Sequence, residues 1–496
     1  MKKHSKVVLG GLLFLACFYT CWADVVRLKS GREINGYLKK VDEKNVVVGI
    51  GGGSITFARD DVESVDGLTL DEARVRTSTV HAFIKGDKDQ AINATAQEGF
   101  NAIVKTRKRE FKSKPTVEKV SQEQIQQNMN MTIQKEYGAQ QLTADAKLLK
   151  RLGLLESEQD FGKDVLETMS KNIAGYYDTK TKKIYVSEKV LSEFLPGLPS
   201  LTVMHEEIHA LQDQYFDLEK LEELFRTQDG DHTLAQRSIV EGEATVLMYD
   251  AFFRAADPTN KSPRKVELRS FILDSMLSYS KHSKTKESKP AIFLEVMLFP
   301  YVWGGQFIQH AVNTGGWEAV DRIYQDMPTS TEQIMHPEKY YLARDNPHKV
   351  TLPDCAVVAG TAWKEINRET LGEFTFYLVG KHFIDELSAK VMSEGWAGDE
   401  CVLLENQQTQ ALLLVSSSRW DSQRDAEEFK DAYQKIIEKK YKQLKRDESR
   451  QDEHLALYQT EEGSLLLLRA GQMVLLIEGA PESLVSPLRT AILQGA

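Results

Sequence analysis

Cysteine is scarce. Four occur in 496 residues, and two of them, Cys17 and Cys21, fall within the first 23. The other two, Cys355 and Cys401, sit in no C-x-x-C or other metal-binding spacing, which excludes a thiolate zinc ribbon or a thioredoxin-type centre. In an oxidising compartment they could form one disulfide or stay as two separate buried thiols, and the sequence leaves both open. Long apolar runs are also lacking: beyond the first twenty residues nothing approaches the ~20 residues that a bilayer span needs. Basic charge is outweighed, 63 Lys+Arg against 73 Asp+Glu for a net charge of −10. That disfavours a nucleic-acid partner, because phosphate binding needs a basic surface. There is no G-x-S-x-G, no G-x-G-x-x-G and no Gly-rich phosphate loop, since Gly51-Gly52-Gly53 lies in a hairpin signal. Nor does any spacing of Asp and Glu single out a glycosidase pair. With 41% apolar residues, 31 Gly and 13 Pro, the composition is that of a globular chain, of a length that suggests about three domains.

The first 23 residues read as an address. Lys2, Lys3 and Lys6 form a basic start, Val7 to Phe18 is a twelve-residue apolar run, and Cys21-Trp22-Ala23 places small residues where a signal peptidase reads. Cleavage before Asp24 and an exported mature chain without an integral membrane span are the expectation. Leu15-Ala16-Cys17 gives a lipoprotein as the alternative, which Phe14 fits poorly.

Residues 24–68 hold five short β-branched runs separated by turn signals, which favours a small SH3-like or Sm-like barrel. Residues 69–112 read as a charged helical connector. A strand is expected over Pro115 to Ser121, followed by a capping box, Ser121-Gln-Glu-Gln124, that opens a helix. Ile173 to Asp178 and Lys183 to Val186 read as two strands joined by Thr179 to Lys182. After the breaker Leu195-Pro-Gly-Leu-Pro-Ser200, either Ser200 or Thr202 could cap the next helix. From 371 to 496 a β-β-α-β-β-α order predicts a separate α+β domain, with Glu438 to Glu453 as a solvated helix face and linker. The fold class expected for the whole chain is α+β.

The chemistry concentrates in Val203 to Leu218. Met204, Ile208, Leu211, Tyr215 and Leu218 form one apolar stripe at helical spacing. On that helix His205 and His209 project from one face a turn apart, so the two imidazoles can share one Zn2+. Glu206 lies one residue round from the first of them, beside the metal, where it can take a proton from a water held there. Such a site needs a third protein ligand and an open position. The residues after His209 do not form the H-x-x-G-x-x-H extension of the metzincins. The better source is Ser238 to Met248, where Glu241 and Glu243 are about 200° apart on a helix, so only one of them can face the metal.

H-E-E-I-H with a downstream V-E-G-E-A-T resembles the gluzincin zinc peptidases, in which two His come from one helix and a Glu from a later one. That resemblance implies Glu241 as the third ligand. A wider pattern, similar to a group of exported bacterial metallopeptidases, includes Gly175 to Asp178, Tyr301 to Gly305, Gly315 to Val320 and Ser330 to Tyr340. It covers roughly 105 to 350, and more loosely Leu371 to Phe374 and Gly395 to Asp399. It implies a mainly helical catalytic domain over 113–370 with a small sheet, acting on a peptide or protein substrate. One departure stands out: where many gluzincins carry an Asp that supports a ligand His, this chain has Thr245. The resemblance also implies that the strand Lys183-Ile184-Tyr185-Val186 is an edge that pairs with an extended substrate. A hydrolase further needs a donor to the developing oxyanion, for which His336, Tyr340 and Tyr301 are the candidates, Tyr301 also as a substrate contact. The function expected is an exported zinc metallopeptidase. The alternative is a zinc-bearing, peptidase-like binding protein without turnover.

Overall fold

The computed structural model describes residues 24–50, 53–65, 69–71, 73, 88–155, 161, 173–188, 190, 200–256, 291–449 and 452–495. The expected signal segment, 1–23, lies outside them, as does most of 69–87. The chain mixes helix and sheet, as the α+β expectation requires.

Alternating β-branched residues build the N-terminal unit. Strands β1 (Asp24–Leu28), β2 (Glu33–Val41), β3 (Asn45–Ile50), β4 (Gly53–Ala58) and β5 (Val62–Val65) form one antiparallel sheet of order β4-β3-β2-β1-β5. Val26, Val46, Val48, Val62 and Val65 enclose its small core. All five strands were legible, because each runs between turn signals that a strand cannot cross.

Helix α1 (Lys88–Arg107) leads into β6 (Val117–Lys119) and α2 (Gln122–Arg151). The capping box at Ser121 is formed in both directions: Ser121 Oγ accepts from Gln124 N, and Gln124 Oε1 accepts from Ser121 N. Strands β7 (Gly175–Asp178) and β8 (Lys183–Val186) follow as read, with the turn at Thr179 to Lys182. The expected edge role of β8 is not met. The sheet order is β6-β8-β7, so β8 is the central strand, parallel to β6 and antiparallel to β7. Ile184 N donates to Thr116 O, Val120 N donates to Val186 O, and Ile184 and Val186 are buried. Lys183 pairs with Glu118 at 2.6 Å, and Tyr185 stacks on Tyr176. With both of its edges hydrogen-bonded, β8 has no row of backbone groups left for a substrate.

Next come α3 (Leu201–Phe216), α4 (Leu218–Phe225), α5 (Gly230–Ala256), α6 (Ala291–Ile323), α7 (Thr331–Met335) and α8 (Glu338–Tyr341). Ser200, not Thr202, caps α3 by accepting from Val203 N. Asp217, in the left-handed region at φ 55°, ends α3 and caps α4. α6 bends at Gly315-Gly316, where Gly316 has φ 64°.

The C-terminal part contains α9 (Cys355–Ala359), β9 (Trp363–Glu369), α10 (Gly372–Phe383), α11 (Glu386–Ser393), β10 (Trp396–Asn406) and β11 (Leu412–Trp420). It continues with α12 (Gln423–Lys440), β12 (Leu444–Arg446), β13 (Leu455–Thr460), β14 (Gly463–Ala470), β15 (Met473–Ala480) and α13 (Glu482–Gly495). Its antiparallel sheet has seven strands, in the order β12-β13-β14-β15-β11-β10-β9. The β-β-α-β-β-α expectation is therefore short by three strands, and the sheet begins at Trp363, ahead of the expected boundary at 371. β12 lies in the charged run read as linker, and β13 directly follows it. The apolar runs are buried on both faces at period two. Leu465, Leu467 and Leu476 face α12 and the main core, while Leu466, Leu468 and Leu475 face α9 and α13. Cys401 and Cys355 lie in these two separate layers as free buried thiols, so of the two open alternatives the structure has the unpaired one. Among the described residues no helix is long and apolar enough to cross a membrane.

Candidate metal centre

The helix that carries His205 and His209 is buried along most of its length, Leu201 to Asp213. Of its expected apolar stripe, Tyr215 is exposed and Leu218 falls on α4, beyond the break at Asp217. Met204, Ile208 and Leu211 pack into the main core, which fixes the rotation of the face that carries the two histidines. That face meets α5, and the two helices bring His205, His209 and Glu241 together with ligand atoms all within 4.8 Å of one another. Glu241 Oε2 lies 3.3 Å from His205 Nε2 and 3.6 Å from His209 Nε2. The two rings are 4.6 Å apart at 72°. Tetrahedral zinc with bonds of about 2.0–2.1 Å puts neighbouring ligand atoms about 3.3–3.4 Å apart, so the spacing suits the ion. The donor set, two imidazoles and a carboxylate, suits it too. His209 Nε2 is buried with no hydrogen-bond partner among the described residues. Such an atom is costly unless something binds it.

The charges support the same grouping. Burial alone would raise Glu241, yet the two facing rings hold it at about 2. Burial keeps His205 below the ordinary imidazole range. At His209 burial also opposes the charged ring, but the Glu241 carboxylate outweighs it and the net shift is upward.

Glu206 adjoins this cluster and is fully buried. Its Oε2 accepts from Tyr177 N of β7 at 2.8 Å, while its Oε1 has no partner among the described residues. One oxygen is thus anchored and the other is open. Burial raises its pKa to about 8. Tyr177 is itself held through its hydroxyl, which donates to Asp213 Oδ2 at 2.7 Å, so β7 is pinned to α3 at two points. Glu207 points elsewhere: a Cβ at Gly99 of α1 would collide with its carboxylate, and burial pushes that group well above the carboxylate range.

Of the other candidates, Tyr301 lies at the cluster, its ring stacked on His205 at 6.1 Å. His336 and Tyr340 are committed to other partners. His336 is the residue that ends α7, and its Nε2 faces Glu373 Oε1 at 2.8 Å. The Tyr340 hydroxyl donates to Asp326 O at 2.8 Å, and its ring packs on Phe307 and Tyr341. The Tyr340 hydroxyl hydrogen is thus spent on Asp326 O, and His336 Nε2 is engaged by Glu373.

Glu243 turns away from Glu241 as the helical phase requires. It accepts from Arg107 Nε at 2.8 Å, Gln212 Nε2 at 3.0 Å and the Tyr324 hydroxyl at 2.7 Å. Gln212 Oε1 in turn meets His209 Nδ1 at 2.7 Å. Sequence reasoning missed these supports. Gln212, three residues after His209 on the same helix face, carried a local signal; Arg107 carried none. The buried atoms His205 Nδ1 and Thr245 Oγ1 have no hydrogen-bond partner among the described residues, so no second support for His205 emerges.

α5 can hold Glu241 here only because it approaches α6 very closely. A Cβ at Gly242 would collide with the Gly304 backbone, and one at Gly304 with Ser238 O. Gly242→Ala is expected to cost about 1–3 kcal/mol by overpacking and, where His205, His209 and Glu241 hold zinc as proposed below, to weaken that binding through the neighbouring Glu241. Thermal denaturation and a zinc titration check this; an unchanged melting point and affinity would show that the helices part freely.

A family described as a domain of unknown function (DUF8575) matches residues 360–489, which span the C-terminal sheet from β9 to β15 and part of α13. No curated protein matches the chain. No solved structure matches it either.

Proposed function

We propose that the chain is an exported zinc-dependent peptidase of gluzincin type, with its catalytic part within 113–370 and a peptide or protein as substrate. Export rests on the basic and apolar pattern of residues 1–23. The observation that carries the reading is the meeting of His205, His209 and Glu241 at zinc-ligand spacing, with a buried carboxylate beside them that keeps one oxygen open. These three residues would hold the ion. When bound, zinc lowers the pKa of a water from 15.7 to about 7.

The chain's own groups do the rest. Tyr177 N–H fixes Glu206 through Oε2, which leaves Oε1 to take the proton of the attacking water. Glu206 then returns that proton to the amine that leaves as the C–N bond breaks, so one carboxylate serves as base and then as acid. Tyr301, whose ring stacks on His205, is read as a substrate contact. The N-terminal five-stranded unit is read as a barrel-like accessory module, and the C-terminal sheet as a separate α+β layer.

The test joins zinc stoichiometry to cleavage-site profiling on a mixed peptide library. One zinc per chain is expected, with cleavage that falls to background under a chelator and returns with added zinc. Cleavage that persists without the metal, or a chain that takes up no zinc, would overturn the reading.

A further inference from the structure

Helix α1 belongs to the stretch 69–112 that the sequence presents as a connector, yet its last residue is among the most buried cations of the molecule. Arg107 is 4% exposed. Its Nε donates to Glu243 Oε1 at 2.8 Å, its Nη2 to Asp321 Oδ1 at 2.5 Å and its Nη1 to Trp317 O at 3.3 Å. The guanidinium lies over the Trp317 ring at 5.1 Å. A lysine could not make this set of contacts, because only a planar fork reaches two carboxylates and a carbonyl at once.

The bonds beyond Glu243 have a fixed direction. Tyr324 donates its hydroxyl hydrogen to Glu243 Oε2, so toward Gln212 it can only accept. Gln212 Nε2 therefore faces three acceptors: Glu243 Oε2, the Tyr324 oxygen and Val240 O at 2.9 Å. That settles which end of the amide is nitrogen, a choice that only the network can make. Gln212 Oε1 must then be the atom facing His209 Nδ1, and this ring nitrogen must carry the hydrogen. In the neutral ring, the form that binds a metal, the lone pair is then on His209 Nε2, the atom that faces Glu241.

We propose that Arg107 is a positioning residue of the metal centre, acting through Glu243 and Gln212 to fix the tautomer and orientation of the His209 ring. The proposal rests on the zinc reading above. Arg107 holds Glu243 turned toward Gln212, Gln212 presents its oxygen to His209, and His209 presents its lone pair to the ion. The connector helix is thereby a part of the centre, and a chain cut between α1 and β6 would lose zinc when α1 departs. The close fit of Gly99 against Glu207 holds the same helix to α3 about two turns before Arg107.

The experiment uses the full mature chain with zinc and cobalt as probes. Zinc affinity is measured by competition with a chromophoric chelator, and the geometry of the site is read from the visible spectrum of bound Co2+. Gln212→Met and Arg107→Met are each expected to weaken zinc about 10–100-fold and to shift the cobalt bands, with Arg107→Lys in between. Asp385→Ala, which removes the remote cap of α11, serves as the comparison and should leave both unchanged. A wild-type chain that binds no zinc overturns the metal reading itself. Wild-type zinc binding with unaltered affinity and cobalt spectrum in folded Gln212→Met and Arg107→Met overturns the relay alone. If Arg107→Met does not fold, Arg107→Lys decides the far arm and Gln212→Met the near one, wild-type behaviour in either counting against the proposal.

Discussion

Glu206→Gln is expected to leave zinc on the chain and to lower peptide hydrolysis about 10²–10⁴-fold, the usual share of a general base. Gln has nearly the same shape, and its amide oxygen can still accept from Tyr177 N, so the anchoring bond to β7 survives. What disappears is the basic oxygen. In the proposed proton transfer Glu206 would suit both halves, because burial raises it to about 8. A divalent ion held by His205, His209 and Glu241 would pull it down again, toward the range where a carboxylate gives and takes protons near neutral pH. Zinc content and turnover measured on the same preparation check the result. Full cleavage by zinc-loaded Glu206→Gln would rule out the role, and loss of zinc along with cleavage would mean that Glu206 holds the site together and not that it moves a proton.

The parts of this centre that lie on one element were legible, since helical period alone fixes them. His205, Glu206 and His209 follow from four-residue spacing on a stripe, and the same period separates Glu241 and Glu243 in phase. The same holds for the cap at Ser121, where a short side chain meets a free N–H within three residues, whereas Ser200 and Thr202 stay equivalent in the sequence until the structure picks Ser200. What the sequence hid is contact between distant segments. Arg107 and Glu243 are 136 residues apart, and nothing in either neighbourhood points to the other. The pairing of β6 with β8 is of this kind too: both strands were expected, but only their parallel register shows that β8 is enclosed. In the C-terminal sheet the charge of Glu438 to Glu453 outweighed the weak strand signal of Leu444 to Arg446, because an edge strand can be polar on its outer side. Tyr340 and His336 looked available because aromatic and imidazole groups near a proline say nothing of their hydrogen-bond partners.

The other large effect is expected outside the candidate centre, at Glu478→Gln. Glu478 is fully buried at the end of β15. Its Oε1 accepts from Lys440 Nζ and the Tyr441 hydroxyl, and its Oε2 faces the Tyr433 hydroxyl at 3.4 Å. Arg151, from the end of α2, enters the same pocket and donates to Leu412 O at 2.5 Å, while Lys440 also reaches Arg151 O. Burial alone would raise Glu478, but these two cations pull it below the ordinary range. Burial likewise lowers Lys440 against the pull of Glu478. Glutamine would keep the volume and leave Lys440 without its counter-charge, with Arg151 relying on Glu462 at the surface. Breaking a buried pair in this way costs about 3–5 kcal/mol. Arg151 lies outside residues 360–489, so the cost should fall on the docking of α2 as well as on the sheet. Denaturant unfolding followed by tryptophan fluorescence reads it, since Trp396 and Trp420 are buried in this layer. The double variant Glu478→Leu with Lys440→Met removes both charges and should recover much of the loss, because two apolar groups need no partner. A single variant that loses under about 1 kcal/mol, or a double variant no more stable than the single, would show that Lys440 escapes to solvent and that the buried pair does not lock the two parts together.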